Sequence, residues 1–136
     1  MTVAMKLVDT SCWIEALRRS GDPDVRARLE TLVRAGEAAW CALVRLELWA
    51  GVGNAKERRV LAEFEEVIPD LPVTDEVWRA ACELAALARS RGRTIPATDL
   101  LVASCAWHHG AEVEHVDRHF IEIEKLRTRA HPVARR

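Results

Sequence analysis

Short apolar segments alternate with helical patterns along this chain, and this alternation restricts its fold more than any other feature. Segments 5–9, 38–43 and 111–116 have the apolar character of buried strands. The stretches between them repeat apolar residues at helical spacing. Strands that alternate with helices in this way form right-handed crossovers and a parallel sheet that is covered on both faces. The pattern predicts an α/β fold, a three-layer α/β/α sandwich with a mainly parallel central sheet.

The predicted helices are marked by residues that commonly start and end helices. Thr10 or Ser11 is expected to cap the first helix and Gly21 to end it, and Thr74 is expected to cap the longest helix. The predicted helices cover 10–21, 22–36, 44–52, 56–67, 74–92, a segment within 94–110, and a short stretch after Asp117. Two weaker strands are predicted, at 68–73 as a strand or extended link and near 129–133.

Length and composition set limits on the class of protein. The 136 residues predict a single domain over 1–136, with a basic tail from about 127 to 136. The net charge of −1 is unlike that of proteins that hold nucleic acid by bulk charge. No secretory or membrane-spanning pattern is visible, so a cytoplasmic protein that does not enter a membrane is expected. The four cysteines, which are Cys12, Cys41, Cys82 and Cys105, are predicted to be reduced core thiols.

Four acidic residues stand where they could share one site. Asp9 and Asp117 each follow a predicted strand, and the carboxyl ends of parallel strands open into the ligand crevice. Asp99 opens the helix that continues with the uncharged run from Leu100 to Trp107, and Glu47 lies in another apolar helix. Helices that follow strands begin at the same edge of the sheet, so both acids could point into this crevice.

Each acid also has a purely structural interpretation: a helix cap at Asp9, the helix dipole at Asp99, a turn at Asp117 and a pair with Arg45 at Glu47. Taken together, the four acids indicate more. Two carboxylates about 5 Å apart repel by about 3 kcal/mol at an effective dielectric near 20, so four cannot stay ionised without protons or cations. A carboxylate-rich site without thiolates suits Mg²⁺ or Mn²⁺.

Four blocks of sequence together resemble the PIN-domain family. They are VDTSCWIEAL at 8–17, LVRLELWAG at 43–51, PATDLLVASCA at 96–106 and VDRHF at 116–120. Their order and spacing are most similar to those of the VapC-type toxin ribonucleases of toxin–antitoxin pairs. The resemblance spans nearly the whole chain.

The resemblance implies a metal-dependent endoribonuclease that cuts tRNA or ribosomal RNA loops. It assigns Asp9, Glu47, Asp99 and Asp117 as catalytic acids that bind one or two Mg²⁺ or Mn²⁺ ions, and it makes Thr10 or Ser11 a hydroxyl that helps to hold water or metal. It further implies a cognate antitoxin that covers the acidic cleft, and a homodimer or a toxin–antitoxin hetero-oligomer. The last block departs from the family at Val116, where a small hydroxyl is frequent, and at His119, where an acid or asparagine is frequent.

The expected mechanism is metal-assisted phosphodiester hydrolysis. Glu47 is expected either to bind metal or to accept a proton from the attacking water. His119 is expected to contact phosphate or assist proton transfer, with a solvent-facing helix position as the alternative. The basic residues before Asp99, which are Arg89, Arg91 and Arg93, are expected to bind the RNA backbone, with a solvated helix end as the alternative.

Three other functions fit parts of the sequence. A structural zinc site would use the cysteines with His108, His109, His115 and His119, although no two ligand pairs have tight spacing. A Mg²⁺-dependent phosphatase-like enzyme also uses strand-end aspartates, but VDTSC has no second acid beside Asp9 and the chain has no glycine-rich phosphate loop. A non-catalytic PIN-like module that binds RNA or protein would not need all four acids.

Overall fold

The computed structural model describes residues 4–130, in which three short strands lie among seven helices. In chain order the elements are β1 (Lys6–Val8), α1 (Thr10–Leu17), α2 (Pro23–Arg34), β2 (Ala38–Ala39), α3 (Ala42–Gly51), α4 (Ala55–Val67), α5 (Asp75–Ser90), α6 (Ala97–His108), β3 (Glu112–Glu114) and α7 (His119–Ala130).

The strands form one parallel sheet in the order β2-β1-β3. Leu7, in the central strand, lies opposite Ala39 on one side and Val113 on the other. The predicted α/β fold with a parallel sheet is therefore confirmed, although helices make up much more of the chain than strands do. Because all three strands run the same way, their carboxyl ends meet at one edge.

Residues 68–73 pair with the sheet at a single bridge, between Trp40 and Asp70. The Trp40 N–H donates to the Pro69 carbonyl at 3.1 Å, and the Leu71 N–H donates to the Trp40 carbonyl at 2.7 Å. Pro69 and Pro72 have no N–H, so they cannot extend this ladder. Of the two predicted alternatives, a strand and an extended link, the segment is therefore the extended link.

The prediction of a strand near 129–133 is wrong for residues 129 and 130, which belong to α7. Residues 131–133, and the rest of the predicted basic tail to 136, lie outside the described residues. Helix α7 thus continues into the region that sequence reasoning assigned to the tail.

Helix α1 begins and ends differently from the prediction. Asp9 is its N-cap, rather than Thr10 or Ser11, and the helix ends at Leu17, before Gly21. Glycine is nevertheless required at Gly21, because a Cβ there would lie 1.7 Å from the Glu15 carbonyl oxygen. The Asp9 side chain therefore stabilises the first turn of α1 as well as standing at the end of β1.

The core lies around two tryptophans at the centre of the molecule. Trp13 and Trp40 are fully buried with ring centroids 4.9 Å apart, and Phe64 packs against Trp13 at 5.0 Å. The Trp13 indole N–H donates to the Val8 carbonyl at 3.0 Å. Helix α6 crosses this core with seven consecutive buried residues, Leu100–Ala106, as its uncharged sequence predicts. This packing fixes the positions of Val8 and α6, which lead directly to Asp9 and Asp99.

Three of the cysteines, Cys12, Cys41 and Cys105, are buried free thiols, but the prediction of a core thiol is wrong for Cys82, which is exposed. The buried face of α5 passes through Ala81 and Leu84. Cys82 is one residue beyond Ala81, so its side chain points about 100° away from that face. Across residues 4–130, no helix combines the length and the apolar character needed to cross a membrane.

Candidate active site

The predicted site residues Asp9 and Asp117 lie at the same edge of the sheet. The Asp9 N–H donates to the Glu114 carbonyl at 2.9 Å, which ties the end of β1 to the end of β3. Asp117 does not directly end a strand, as was predicted, because β3 already ends at Glu114. It lies in the loop before α7, where its Oδ1 accepts the His119 N–H at 2.9 Å. The Asp117 carboxylate therefore orders the first turn of α7.

The side chains of Asp99, Asp117 and His119 converge at this edge. The Nδ1 atom of His119 lies 3.1 Å from Oδ2 of Asp99 and 3.0 Å from Oδ1 of Asp117. All three side chains are partly buried, with exposed fractions of 14% for Asp99, 31% for Asp117 and 30% for His119. One donor atom from each lies within 4.8 Å of the others, close enough for a single metal ion to contact all three.

The electrostatics of this group show most clearly at Asp99. Its pKa is raised from 3.8 to about 6, mainly because burial penalises the charged form and secondarily because the carboxylates of Asp117 and Asp9 repel it. His119 opposes this shift by charge and hydrogen bonding. Asp9 is therefore near enough to Asp99 to act on it electrostatically. A cation at this position would relieve the same repulsion.

Asp9 is 4% exposed, and Ser11 holds its carboxylate. The Ser11 hydroxyl donates to Oδ2 of Asp9 at 2.7 Å, and the Ser11 N–H reaches the same oxygen at 3.1 Å. The hydroxyl also accepts the Val116 N–H at 3.3 Å. Ser11 thus links the acid after β1 to the loop that carries Asp117. No signal in the sequence indicates this contact to the Val116 backbone, because it joins residues 105 positions apart.

Glu47 is held by a different hydroxyl. The Thr10 hydroxyl donates to Oε1 of Glu47 at 2.7 Å across the α1–α3 contact. The alternative pair with Arg45 is not formed, because the Arg45 guanidinium binds Asp70 at 2.7 Å and Glu65 at 3.4 Å. Two neighbouring residues at the start of α1 therefore each position one of the predicted acids.

Of the four predicted acids, the structure brings two into the closest group. Among the described residues, the donor atoms that lie within 4.8 Å of one another belong to Asp99, Asp117 and His119. Asp9 stands outside this group but acts electrostatically on Asp99, and Glu47 is linked to the same region through Thr10. His119 belongs to this group. The sequence offered two alternatives for this residue, an accessory catalytic role and a solvent-facing helix position.

The three predicted RNA-binding arginines lie at the exposed end of α5. Arg89 is in the last turn, Arg91 is the C-cap, and Arg93 follows in the connection to α6. Arg93 contacts Oε1 of Glu122, in α7, at 3.3 Å. Within residues 4–130, no ion pair joins these arginines to Asp99 or Asp117.

The alternative zinc site is not assembled within residues 4–130. The candidate metal-ligand groups found there contain no cysteine, and His119 is the one histidine among them. The His108 and His109 rings pack against each other at 4.9 Å, and His115 packs against Phe120 at 5.0 Å. The rings of these three histidines therefore pack against other rings, and they do not form a shared metal site within the described residues.

Comparison with known proteins identifies the family of the chain. The family model described as PIN domain matches residues 6–126. The chain is 31% identical to Ribonuclease VapC11 of Mycobacterium tuberculosis over 125 residues, which covers 90% of this chain and 93% of the relative. It is 38% identical to Ribonuclease VapC19 of the same organism over 103 residues, which covers 75% of this chain and 80% of the relative.

A solved structure supports the same fold. The crystal structure of VapBC2 from Rickettsia felis bound to a DNA fragment from their promoter superposes with a TM-score of 0.73 at 20% identity, covering 87% of this chain and 91% of that chain. The family match spans all three strands, helices α1 to α6, the first part of α7 and all four predicted acids. The chain therefore belongs to the PIN-domain family.

Proposed function

We propose that this protein is a metal-dependent endoribonuclease toxin that hydrolyses phosphodiester bonds in RNA and is neutralised by a cognate antitoxin. The observation that carries the proposal is the convergence of Asp99, Asp117 and His119 beside the buried Asp9 at one edge of the sheet. The names of the curated relatives, which are ribonucleases of the VapC type, support RNA as the substrate.

The donor set at this edge fits a divalent metal ion, Mg²⁺ or Mn²⁺. Asp99 and Asp117 offer carboxylate oxygens from two different elements. The pKa of Asp99 is raised mainly by burial and secondarily by repulsion from Asp117 and Asp9, and a bound cation would offset that repulsion. Asp9, whose charge acts on Asp99, is proposed as a further ligand, directly or through water. When bound, such an ion lowers the pKa of a water molecule and offsets charge on the phosphate and the leaving oxygen.

The chain's own residues hold this arrangement in place. Ser11 fixes one oxygen of the Asp9 carboxylate, and the His119 N–H fixes one oxygen of Asp117. Glu47, which Thr10 holds from the other side, is either a further ligand or the group that accepts a proton from the attacking water. Preorganised carboxylates of this kind need no rearrangement when a phosphodiester arrives.

The RNA is expected to bind as a single-stranded or looped segment, as the resemblance to the VapC-type ribonucleases implies, and unpaired bases are the usual target of proteins that recognise RNA by sequence. Arg89 and Arg91 are exposed and could contact the phosphate backbone outside the acidic site. Arg93 would have to leave Glu122 to do the same.

An antitoxin segment is expected to bind beside Glu47. A groove of about 200 Å³ lies there, and its lining includes the apolar side chains of Ile14 and Leu48 and the charged side chains of Arg18 and Glu47. Nearby on α3, Leu46 is 65% exposed and Trp49 is 37% exposed, which leaves apolar surface for a partner. The VapBC2 structure from Rickettsia felis supports a partner of this class. A homodimer and a cytoplasmic location stay predictions.

The test is RNA cleavage by the purified chain with Mg²⁺ or Mn²⁺, using total tRNA and ribosomal RNA with mapping of the new ends. We expect Asp99→Asn and Asp9→Asn to reduce cleavage by at least about two orders of magnitude. The exposed Asp24→Asn serves as the matched control. Equal cleavage by the Asp99→Asn variant would contradict the proposal, and metal-independent RNA binding without cleavage would favour a non-catalytic module.

A further inference from the structure

The histidine in the acidic group gives the site a donor of different chemistry from its carboxylates. His119 Nδ1 lies within 3.1 Å of both Asp99 and Asp117, so it faces the same point in space as their oxygens. A carboxylate oxygen is a hard ligand and suits Mg²⁺, whereas an imidazole nitrogen is softer and suits transition metals. This difference bears on which ion the site selects.

We propose that His119 Nδ1 is itself a metal ligand, and that it makes this site favour divalent transition metals over Mg²⁺. The inference rests on the proposed function in that it concerns the same site. It goes further in assigning a role to His119 and in naming the class of ion.

The local structure delivers His119 to the site in a fixed position. Asp117 and His119 are two residues apart, and the Asp117 side chain accepts the His119 N–H at 2.9 Å. This turn holds both donors at the start of α7, where they meet Asp99 from the first turn of α6. Three donors from two rigid helix starts are preorganised for one ion, which keeps the entropic cost of binding low.

The contact of His119 with two carboxylates has another possible origin, which is a hydrogen bond or ion pair from a protonated ring. In that case Nδ1 carries a proton and no lone pair is available for a metal. The two origins predict different results when a metal is added. A ligand nitrogen loses its proton and couples to the bound metal, whereas a protonated nitrogen does not bind the metal.

Mn²⁺ provides a direct spectroscopic probe of the ligand. Pulsed electron paramagnetic resonance of Mn²⁺ bound to the full chain is expected to show ¹⁴N coupling from a directly bound imidazole. We expect the coupling to disappear in His119→Asp, which restores an all-oxygen donor set, and to persist in His108→Ala, which removes an exposed histidine at the end of α6.

Calorimetric titration of the same proteins with MnCl₂ and MgCl₂ gives the selectivity. The selectivity is the dissociation constant for Mg²⁺ divided by the dissociation constant for Mn²⁺. We expect this ratio to fall by about tenfold in His119→Asp, because changes around a metal site commonly alter affinity by about this factor. An unchanged ratio, or a wild-type spectrum without ¹⁴N coupling, would overturn the proposal. Circular dichroism of each variant verifies that it is folded, and the wild-type spectrum is informative without any variant.

Failure of this inference differs from failure of the proposed function. If the chain cleaves RNA while its bound Mn²⁺ shows no nitrogen coupling, the nuclease assignment stands and the role of His119 is wrong. If the coupling is present but no RNA is cut, His119 is a ligand in a metal site with another function.

Discussion

The Thr10 hydroxyl donates a 2.7 Å hydrogen bond to Oε1 of Glu47, although the two residues are 37 positions apart in the chain. Thr10 directly follows Asp9, so one short segment at the start of α1 controls two of the predicted acids. The bond holds the Glu47 carboxylate in one orientation on a helix where the next residue, Leu48, is buried in the core.

Replacing Thr10 by valine tests this coupling. The Thr10→Val change keeps the size and branching of the side chain but removes the donor, so Glu47 is free to rotate. A hydrogen bond to a charged group contributes about 1.5–3 kcal/mol, so we expect the rate of RNA cleavage to fall by at least about tenfold. Thr10→Ser keeps the hydroxyl and should retain most of the activity. Wild-type cleavage by the valine variant would show that this hydrogen bond has no role in positioning Glu47.

Removing the Ser11 hydroxyl is expected to loosen the link between β1 and the loop before α7. In Ser11→Ala the Asp9 carboxylate loses a 2.7 Å hydrogen bond and the Val116 N–H loses its acceptor. We expect the free energy of unfolding to fall by about 1–3 kcal/mol, and hydrogen exchange at the Val116 amide to become faster. Ser90→Ala removes an exposed hydroxyl at the end of α5 and should change neither quantity. Unchanged exchange at Val116 in Ser11→Ala would refute the link.

Much of the fold could be predicted because several elements carry strong local signals. The cap at Thr74 and the uncharged run after Asp99 both lie where the sequence indicates, since capping and burial depend on neighbours in the chain. The segment at 68–73 was harder to predict, because its pairing depends on Trp40 across a distance in sequence. The missing N–H groups of its two prolines then limited the pairing to one bridge.

The sequence predicts which residue types form the site, but it does not predict which atoms contact one another there. Strand-end acids indicate one edge of a parallel sheet, and Asp9 and Asp117 lie there. The sequence does not specify which rotamers those acids adopt or which groups meet them. The partners of the Ser11 hydroxyl and the position of His119 follow from the packing of α1 and α7 against the rest of the chain.

The raised pKa of Asp99 predicts how stability depends on pH without metal. In the unfolded chain this carboxyl ionises near 3.8, and in the folded protein near 6, so the folded state binds the proton more tightly. The resulting stabilisation is fully present below about pH 4. It is lost as the pH rises through about 6.

The Asp99→Asn variant resembles the protonated residue at every pH. In metal-free buffer at pH 7.5 we therefore expect it to be more stable than the wild type by about 1 kcal/mol, after allowance for solvent screening at this half-buried site. The difference should vanish near pH 4. Denaturant titrations at the two pH values provide the measurement. A variant less stable than the wild type at pH 7.5 without metal would contradict the assigned effect of burial and repulsion on the Asp99 carboxylate.

Adding metal should reverse the order of stability at Asp99. An ion that binds the folded state alone stabilises the wild type by mass action, by about 2.7 kcal/mol at a hundred times its dissociation constant. The Asp99→Asn variant lacks one charged ligand and should gain much less from the same concentration. Thermal melts of both proteins with MnCl₂ and with EDTA measure this reversal. An equal gain for the two proteins would place the bound metal elsewhere.

Trp13 is expected to stabilise the fold directly beneath the site. Its indole N–H donates to the carbonyl of Val8, which precedes Asp9, and its ring packs against Trp40 and Phe64. Trp13→Phe leaves a cavity and removes this donor, so we expect the free energy of unfolding to fall by about 2–4 kcal/mol. Trp78 is 53% exposed, and Trp78→Phe should change the same quantity by no more than about 0.5 kcal/mol. Denaturant unfolding of the two variants measures both values. Similar losses for both would mean that the hydrogen bond to Val8 and the packing around Trp13 contribute little more than an exposed ring does.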